Sequence, residues 1–287
     1  EAELMRMPTP VRLRKAMEEL GPTFIKLGQV LSTRRDLVPD EWAAEFAKLQ
    51  SGCPSLPYSD IEAQLNEAFP DGFDSIFRSI DETPIAAASM AQAHRAELVD
   101  GTTVVLKILR PRIREIIVGD MEALRFLANL VDEHIANVGF DPKATVEEFA
   151  KELDRESDLT NEGRSTDRLS SMFADNPQVD FPIIYWQATT RDVLCESMAT
   201  GTLLADLDPS TLSADERRAI VTTGAGAVFH QALEVGFFHA DPHPGNLFVR
   251  PDGGITFIDC GMTGFVDDQT RLRLAEIVYG MTRNDSD

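Results

Sequence analysis

Apolar residues recur along residues 9–50 with the spacing of amphipathic helices. The pattern predicts two long helical segments that separate near Pro39, with Asp40 placed to cap the second one. A further helix is predicted over residues 60–69, again with an aspartate at its start. The N-terminal quarter of the chain is therefore predicted to be helical.

The period changes to that of β-strands after residue 77. Apolar and β-branched residues predict strands over residues 80–85, 91–99 and 103–109, and an Asp-Gly turn joins the last two. Sequential strands joined by short turns form antiparallel sheets. A small antiparallel sheet is therefore predicted to follow the helices.

Helical patterns return in the middle of the chain. They predict helices over residues 113–136 and 143–172, separated by a Gly-Phe-Asp-Pro break. Strand patterns follow over residues 181–186 and 192–198. The chain is therefore predicted to return from helices to strands before residue 199.

A capping box of sequence Ser-Ala-Asp-Glu predicts that a helix begins at Ser213 and continues to Gly236. Beyond this helix, two apolar runs flank a Pro-Asp-Gly-Gly turn, so residues 247–258 are predicted to form a hairpin. Because a hairpin brings its two ends together, Asn246 and Asp259 are predicted to lie side by side.

The polar residues around this hairpin have the spacing of a phosphate-transfer site. Asp241 precedes Asn246 by five positions, as in the H-R-D-x-x-x-x-N loop of kinases, and Asp259-Cys260-Gly261 stands where D-F-G is expected. Asn246 and Asp259 are predicted to ligate Mg²⁺, which prefers protein and phosphate oxygens. Asp241 is predicted to orient the attacking water or hydroxyl.

A metal site is the alternative for the same segment. His239, Asp241 and His243 alternate, so on an extended strand they would share a face and could ligate a transition metal. That interpretation leaves Asn246 and Asp259 without a role, so the kinase interpretation is favoured.

Lys107 lies inside the third predicted strand with apolar neighbours on both sides. A charged side chain in such a place needs an anionic partner, and in kinases that partner is the α/β-phosphate of the nucleotide, backed by an acid from a helix. A strand-edge lysine that reaches solvent is the alternative. Upstream, where a kinase carries G-x-G-x-x-G, the chain has Ala86, Ala87, Ala88 and Ser89. Their Cβ atoms restrict φ and keep the backbone farther from the phosphates, so this loop is predicted to bind the nucleotide differently from a Gly-rich loop.

Composition narrows the classes of partner. The chain of 287 residues is 43% hydrophobic and 26% charged, which allows a large core. Its net charge of −21 argues against nucleic acid as a partner, and any nucleotide site must depend on particular lysines and bound metal. Three cysteines without C-x-x-C spacing support neither a disulfide framework nor zinc, and they fit a reducing cytoplasm.

The sequence shows no pattern of a membrane span or signal peptide, because no uninterrupted apolar run approaches the roughly 18 residues of a spanning helix. A cytoplasmic location is expected. The amphipathic segment with Arg12, Arg14 and Lys15 is a candidate for peripheral membrane contact, against the alternative of a solvated helix face. A start without Met and an end at Asp287, just after a new amphipathic stretch begins, are expected for part of a longer protein.

These motifs together resemble the UbiB/AarF atypical kinase-like family, which is linked to quinone biosynthesis and lipid homeostasis. The matching segments, in chain order, are K-x-G-Q at Lys26-Leu27-Gly28-Gln29, the Ala-rich loop at residues 86–89, the strand lysine Lys107, E-x-D at Glu152-Leu153-Asp154, the catalytic loop at residues 239–246 and the D-F-G equivalent at residues 259–261. Their shared order covers nearly the whole chain.

The resemblance implies an α+β, bilobal protein-kinase-like fold with a small antiparallel-sheet N-lobe and a mainly helical C-lobe. The implied boundaries are residues 1–72 for an N-terminal helical extension, 73–198 for the N-lobe with inserted helices and 199–287 for the C-lobe. In this family the extension folds across the kinase core. Lys26 and Gln29 are then expected to project toward the nucleotide, with Glu152 and Asp154 engaging the extension.

Two positions depart from the family pattern. The acid expected six residues after the first Glu of E-x-D, as the partner of the strand lysine, is Asp158 here, with Glu156 and Glu162 as alternatives. Cys260 replaces the phenylalanine of D-F-G, which is expected to weaken an apolar plug. We expect Cys260 to be a buried, inert thiol.

The leading hypothesis is an ATP-binding, Mg²⁺-dependent atypical kinase-like ATPase or phosphotransferase that supports quinone or lipid metabolism. ATP or ADP with Mg²⁺ is the expected cofactor, a quinone precursor or lipid is a candidate partner, and Glu196 with Met198 forms the expected adenine hinge, unless it is a plain strand end. Two alternatives stay open: a small-molecule kinase of the aminoglycoside or choline type, and a nucleotide-responsive, lipid-binding scaffold with little catalysis. The K-x-G-Q segment and the Ala-rich loop argue against the first.

Overall fold

The contacts within the chain divide it into two units. The structure is a computed structural model that describes residues 7–50, 53–134 and 140–283. The first unit comprises Glu1–Leu159 with Thr190–Val193, and the second comprises Thr160–Thr189 with Leu194–Asp287. The predicted boundaries after residues 72 and 198 stay predictions.

Four helices open the first unit, one more than the apolar periodicity predicts, because the first predicted segment is divided at Gly21. They are α1 (Thr9–Leu20), α2 (Pro22–Thr33), α3 (Asp40–Phe46) and α4 (Tyr58–Ala68). Gly21 has a φ of 104°, which glycine adopts readily, and lets the chain turn between α1 and α2. Asp40 does not cap α3 as predicted, because Pro39 is the N-cap and Asp40 is the first helical residue. Its charge instead lies in the first turn, where it opposes the positive end of the helix dipole.

The antiparallel sheet of the first unit is built around its longest strand. Its strands are β1 (Phe77–Ile80), β2 (Ala86–Ala87), β3 (Ala91–Leu98) and β4 (Thr103–Leu109). β1, β2 and β4 each pair antiparallel with β3. The predicted strand over residues 80–85 is wrong, because the chain turns there through three polar residues and Pro84, which has no N–H for a sheet ladder.

The long helix predicted over residues 143–172 is two helices. The helices that follow the sheet are α5 (Ile113–His134), α6 (Pro142–Glu156) and α7 (Leu159–Met172). The break has a long-range cause, since the Arg114 guanidinium donates to the carbonyl oxygen of Ser157 at 2.6 and 3.0 Å, and this carbonyl ends α6. The predicted end of the preceding helix at residue 136, and the start of the break that follows it, lie outside the described residues.

The second unit combines short strands with helices. After β5 (Val179–Asp180) and β6 (Val193–Ser197) come β7 (Thr202–Leu203), α8 (Ala214–Phe229), β8 (Phe237–His239), β9 (Leu247–Val249), β10 (Ile255–Phe257), β11 (Thr263–Phe265) and α9 (Asp268–Arg283). One sheet has the order β5-β10-β9-β7, and β8 pairs with β11. The hydrophobic core of this unit contains Phe181 stacked on Phe257, with ring centroids 5.4 Å apart.

Several local predictions for the second unit are confirmed. The capping box at Ser213 is formed in both directions, and β9 and β10 make the predicted hairpin. The helix predicted to reach Gly236 ends as a π-helix over His230–Val235, and Gly236 follows it with a φ of 79°. The predicted strand over residues 181–186 is wrong, since it reduces to one bridge at Ile184 and a 3₁₀ turn. Among the helices that the structure describes, none has the length and apolar character that crossing a membrane requires.

Candidate active site

The segment that carries the predicted catalytic aspartate begins at a strand pair. β8 and β11 bring His239 opposite Thr263, and the Ala240 N–H donates to the carbonyl oxygen of Met262 at 3.0 Å. Just before β8, the π-helix contributes Gln231, which is fully buried and accepts the His239 N–H on its Oε1 at 2.8 Å. The start of the segment is therefore fixed by backbone and side chain together.

His239 is a structural residue in this segment. Its ring is buried, its Nδ1 accepts the Asp241 N–H at 3.1 Å, and its Nε2 faces the carbonyl oxygen of Ile258 at 3.1 Å. Because Nδ1 accepts and a carbonyl can only accept, the proton of the neutral ring is on Nε2. Both nitrogens are thus used inside the protein, which leaves His239 unsuited to the transition-metal alternative. The described residues also contain no group of three His, Cys, Asp or Glu side chains that could hold a metal ion.

Asn246 is held in one orientation by the same loop. Its side chain is 7% exposed, its Nδ2 donates to the carbonyl oxygen of Asp241 at 3.1 Å, and its own N–H donates to the carbonyl oxygen of His243 at 2.8 Å. Since the Asp241 carbonyl can only accept, the amide nitrogen must face it. The oxygen Oδ1 is therefore the atom that Asn246 can offer to a cation.

Asp259 lies next to Asn246, as the hairpin predicts. The β9–β10 ladder continues one step past Phe257, because the Ile258 N–H donates to the carbonyl oxygen of Asn246 at 2.9 Å. Asp259 follows directly, with a φ of 53° in the left-handed region. Few residues other than glycine adopt this region, and aspartate is among those that tolerate it. This backbone turns the chain sharply at the first position of the D-F-G equivalent.

Asp241 is accessible, as Asp259 is, whereas Asn246 is buried. Its side chain is 48% exposed, and its Oδ2 lies 3.8 Å from His243 Nε2. His243 accepts the Gly245 N–H on its Nδ1 at 2.9 Å, so its other ring nitrogen is the one that faces Asp241. The second unit thus brings Asp241, Asn246 and Asp259 together, while their roles stay predictions.

Cys260 is buried, as expected for an inert thiol. It is 1% exposed, and burial raises the pKa of its thiol far above the ordinary value. The next residue, Gly261, lies close to two carboxylates, since a Cβ added there would be 3.5 Å from both Asp259 Oδ1 and Glu162 Oε2. Glu162 is itself only 7% exposed. A buried glutamate therefore faces the turn that carries Asp259.

In the first unit, the Ala-rich loop and the strand lysine lie on neighbouring strands. Ala86 of β2 pairs with Ala93 of β3, and Ala93 pairs with Lys107 of β4. Residues directly opposite each other across a sheet point to the same face, so Ala86 and Lys107 share one face two strands apart. Ala87 pairs with Gln92, while Ala88 and the buried Ser89 form the turn that follows.

The K-x-G-Q segment has a structural role within the first unit. Lys26 Nζ lies 2.5 Å from Glu156 Oε1 and 4.0 Å from Glu152 Oε1. Gln29 Nε2 donates to the carbonyl oxygen of Leu49 at 2.9 Å, and a Cβ at Gly28 would collide with the Leu49 side chain. The segment therefore fastens α2 both to the 3₁₀ turn after α3 and to the end of α6.

The acidic partners of Lys26 are not equivalent. Glu152 Oε1 is buried and lacks a hydrogen-bond partner in the part of the chain that the structure describes. Burial raises the pKa of Glu152, and the nearby Glu156 and Glu148 raise it further, while Lys26 lowers it. Lys26 therefore pairs chiefly with Glu156, and the roles expected for Glu152 and Asp154 stay predictions.

A second E-x-D pattern begins one helical turn later, at Glu156-Ser157-Asp158. Its first member is the glutamate that pairs with Lys26, and its aspartate accepts from Arg191 Nε at 3.2 Å. Six residues after Glu156 is Glu162, so in this register the acid expected for the strand lysine is a glutamate. Both patterns are visible in the sequence, and the Lys26 contact distinguishes them.

The expected hinge lies at the end of β6. Glu196 forms a bridge with Ile184, and the Ser197 N–H donates to the carbonyl oxygen of Ile183 at 2.9 Å. Met198 follows β6 and is 42% exposed. Adenine binding at this strand end stays a prediction. Gln231, by contrast, was not predicted, although a glutamine at the end of an apolar helix before the H-x-D segment is a visible signal.

Comparisons with known proteins give the chain its family. Residues 48–287 match the ABC1 atypical kinase-like domain. An uncharacterised protein of Synechocystis sp. is 38% identical over 98% of this chain and 71% of its own length. The Arabidopsis thaliana protein ACTIVITY OF BC1 COMPLEX KINASE 3, chloroplastic, is 35% identical over 96% of this chain, which spans only 39% of the plant protein.

A solved structure agrees with these matches. The Rv3197 protein of Mycobacterium tuberculosis, in complex with erythromycin, has a TM-score of 0.66 and 26% identity, covering 83% of this chain and 60% of that one. The α+β, kinase-like fold and the resemblance to the UbiB/AarF family are thereby confirmed. The chain belongs to the ABC1 atypical kinase-like family.

Proposed function

We propose that this chain is the catalytic core of an ATP-binding, Mg²⁺-dependent atypical kinase-like ATPase or phosphotransferase. The observation that carries the proposal is the placement of Asp259 beside Asn246, with Asn246 anchored to the carbonyl oxygen of Asp241. Three oxygen-bearing side chains that a kinase needs for phosphoryl transfer thus belong to one hairpin and the loop before it.

The donor set fits Mg²⁺. Asn246 is oriented so that Oδ1 is its available atom, and Asp259 adds a carboxylate, so both protein ligands are hard oxygens. Bound Mg²⁺ would supply neutralisation of the negative charge on the phosphate oxygens. Within the protein, Asp241 then orients the attacking hydroxyl or water, and its 48% exposure leaves its carboxylate accessible to one.

The first unit is proposed to hold the nucleotide through Lys107 and the Ala-rich loop. Lys107 contributes the positive charge that a chain of net charge −21 must supply locally. The acidic partner of Lys107 stays a prediction, with Asp158, Glu156 and Glu162 as the candidates from the sequence. Of these, Asp158 also accepts from Arg191 Nε at 3.2 Å and Glu156 lies 2.5 Å from Lys26 Nζ. The roles of Glu196 and Met198 at the adenine ring belong to the same proposal.

The physiological role is proposed from the relatives. The resemblance to UbiB/AarF proteins supports a role in isoprenoid-quinone or lipid metabolism, with a quinone precursor or lipid as the phosphate acceptor or activator. A relative solved with erythromycin supports a search for the acceptor among small molecules rather than proteins. Peripheral contact with a membrane is part of this proposal, through Arg12 and Lys15 of α1, whereas Arg14 is only 16% exposed and pairs with Glu18 and Glu45.

The test is ATP turnover by Asp259→Asn with Mg²⁺ present. The variant keeps the shape of the side chain but removes the charge that holds the cation, so we expect turnover to fall by about 100-fold or more. Asp175→Asn is the matched control, because Asp175 is an exposed aspartate in the turn after α7. Equal turnover in the parent and Asp259→Asn would overturn the catalytic proposal.

Binding must be separated from hydrolysis. The melting temperature of the parent should rise with ADP only when Mg²⁺ is present, because a ligand that binds the folded state stabilises it. A parent that is stabilised by ATP and Mg²⁺ but hydrolyses none would favour the scaffold alternative. A melting temperature that no nucleotide moves would contradict every nucleotide-dependent version.

A further inference from the structure

Arg110 is hydrogen-bonded to the backbone of the Ala-rich loop. It directly follows β4, and its guanidinium donates twice to the carbonyl oxygen of Ala88, from Nε at 3.1 Å and from Nη2 at 2.9 Å. Its backbone N–H donates to the carbonyl oxygen of Met90 at 2.9 Å. Two carbonyl groups of the loop therefore point toward Arg110.

The same guanidinium reaches the segment that follows the N-terminal helices. Arg110 Nη2 also donates to the carbonyl oxygen of Pro54 at 2.8 Å. One planar group thus bridges two segments that lie 34 positions apart, the chain at Pro54 and the loop at Ala88. Nη2 alone contacts both carbonyl oxygens, and Nε adds the second bond to Ala88. A lysine keeps one donor nitrogen but loses the Nε bond and the rigid planar fork.

A second contact ties the two segments together two positions after Pro54, at Leu56. Gln92 on β3 is buried and accepts the Leu56 N–H on its Oε1 at 2.8 Å. Its Nε2 lies 2.9 Å from His94 Nε2, and His94 Nδ1 lies 2.7 Å from the carbonyl oxygen of Asp81. Since that carbonyl accepts, His94 carries its proton on Nδ1 and receives the Gln92 amide on Nε2. The orientation of Gln92 is thereby fixed.

The surroundings of Arg110 fit a residue that positions the backbone of the Ala-rich loop. Its described acceptors are the carbonyl oxygens of Ala88 and Pro54, and burial lowers the pKa of its guanidinium without removing the charge. A half-buried cation is retained only where its hydrogen bonds offset the loss of water. Here those bonds turn the Ala88 carbonyl oxygen, which would repel phosphate, toward the cation.

We propose that Arg110 is a positioning residue that sets the Ala-rich loop for nucleotide and couples the loop to the chain at Pro54 and Leu56. This inference rests on the proposed function, since it assigns the loop to nucleotide. Because the Pro54 segment continues from the helices that carry K-x-G-Q, attachment of the extension and affinity for nucleotide should change together. Coupling of this kind is reciprocal, so nucleotide in the loop should also steady the segment.

The experiment compares Arg110→Lys with the parent and with Arg95→Lys. Arg95 is an exposed arginine on β3 and is the matched control. Amide hydrogen exchange is measured at Ala88 and Leu56, first without nucleotide and then with ADP and Mg²⁺. ADP affinity is measured by calorimetry, and melting curves show whether each variant is folded.

We expect Arg110→Lys to exchange faster at both Ala88 and Leu56 without nucleotide and to bind ADP about tenfold more weakly, which corresponds to about 1.4 kcal/mol. Arg95→Lys should behave as the parent. Exchange at Ala88 that matches the parent would overturn the positioning role, and faster exchange at Ala88 alone would overturn the coupling. If the parent binds no nucleotide, the proposed function fails, while exchange in the nucleotide-free protein still decides whether Arg110 joins the two segments.

Discussion

Replacing Gln231 by leucine would test how the segment that carries the proposed catalytic aspartate is held. Gln231 is fully buried, its Oε1 accepts the His239 N–H at 2.8 Å, and its Nε2 lacks a partner among the described residues. Leucine has a similar volume but neither donates nor accepts a hydrogen bond. The His239 N–H would therefore remain buried without an acceptor, two positions before Asp241.

Two opposing effects set the size of the change. A buried N–H without an acceptor costs about 1–3 kcal/mol. The parent already carries an unpaired Nε2 in the same place, and leucine removes it. We therefore expect a net loss near the lower end, about 1–2 kcal/mol. Since 1 kcal/mol lowers the melting temperature of a protein of this size by about 2–4 °C, the expected decrease is roughly 2–8 °C.

We expect ATP turnover to fall even at temperatures where Gln231→Leu is fully folded, because the backbone of His239 sets the position of Asp241. ATP turnover would be measured well below the melting temperature, beside thermal unfolding, for Gln231→Leu and for the exposed control Gln187→Leu. Gln231→Glu keeps the acceptor, and burial raises the pKa of such a carboxyl. Its folded pKa then exceeds its unfolded pKa, so its stability should be greatest at low pH and be lost as the pH rises through the folded pKa.

The reasoning would be refuted by a Gln231→Leu protein that melts with the parent and turns over ATP at the parent rate. That result would mean that the strand pairing of β8 with β11 holds His239 without help from the side chain. A loss of stability with unchanged turnover would assign Gln231 to folding alone.

Three further predictions concern the contacts of α2 and α6. Gly28→Ala should lower the free energy of unfolding, measured by urea titration, by about 1–3 kcal/mol, because the new Cβ collides with Leu49. A variant as stable as the parent would contradict this close packing. Lys26→Met and Glu156→Gln should each lower the free energy of unfolding by about 1–3 kcal/mol. The double mutant should be no less stable than either single mutant, and strictly additive losses would argue against the pair. Glu152→Gln should raise the melting temperature at pH 8 and have no effect at pH 3, because burial raises the folded pKa of Glu152 and its stability contribution is lost as pH rises through that value.

The elements that the sequence predicts well depend on neighbours in the chain. The capping box needs only Ser213 and Glu216, whose backbone and side chains satisfy each other at 2.8 and 3.2 Å. The hairpin at residues 247–258 needs only its turn and two apolar runs, and it alone brings Asn246 next to Asp259. The placement of Asn246 beside Asp259 was therefore predictable from one stretch of sequence.

The features that were missed depend on side chains that reach distant backbone. The break between α6 and α7 is held by Arg114, 43 positions before the Ser157 carbonyl that it binds. Arg110 acts in the same way across 22 and 56 positions, at Ala88 and Pro54. Periodicity and propensity contain no information on such pairs, because an arginine that leaves a strand or helix has the same local pattern whichever carbonyl it meets.

The E-x-D register shows how a single distance changes the interpretation of a motif. Glu152-Leu153-Asp154 and Glu156-Ser157-Asp158 fit the pattern equally well, since both glutamates lie on the same face of α6, one turn apart. Lys26 lies 2.5 Å from the second glutamate and 4.0 Å from the first, so the second pattern contributes the nearer partner of α2. Glu162 stands at the sixth position after the second glutamate, and the acid that partners the strand lysine stays a prediction. Asp158 also accepts from Arg191 Nε at 3.2 Å, a contact that the sequence pattern does not reveal.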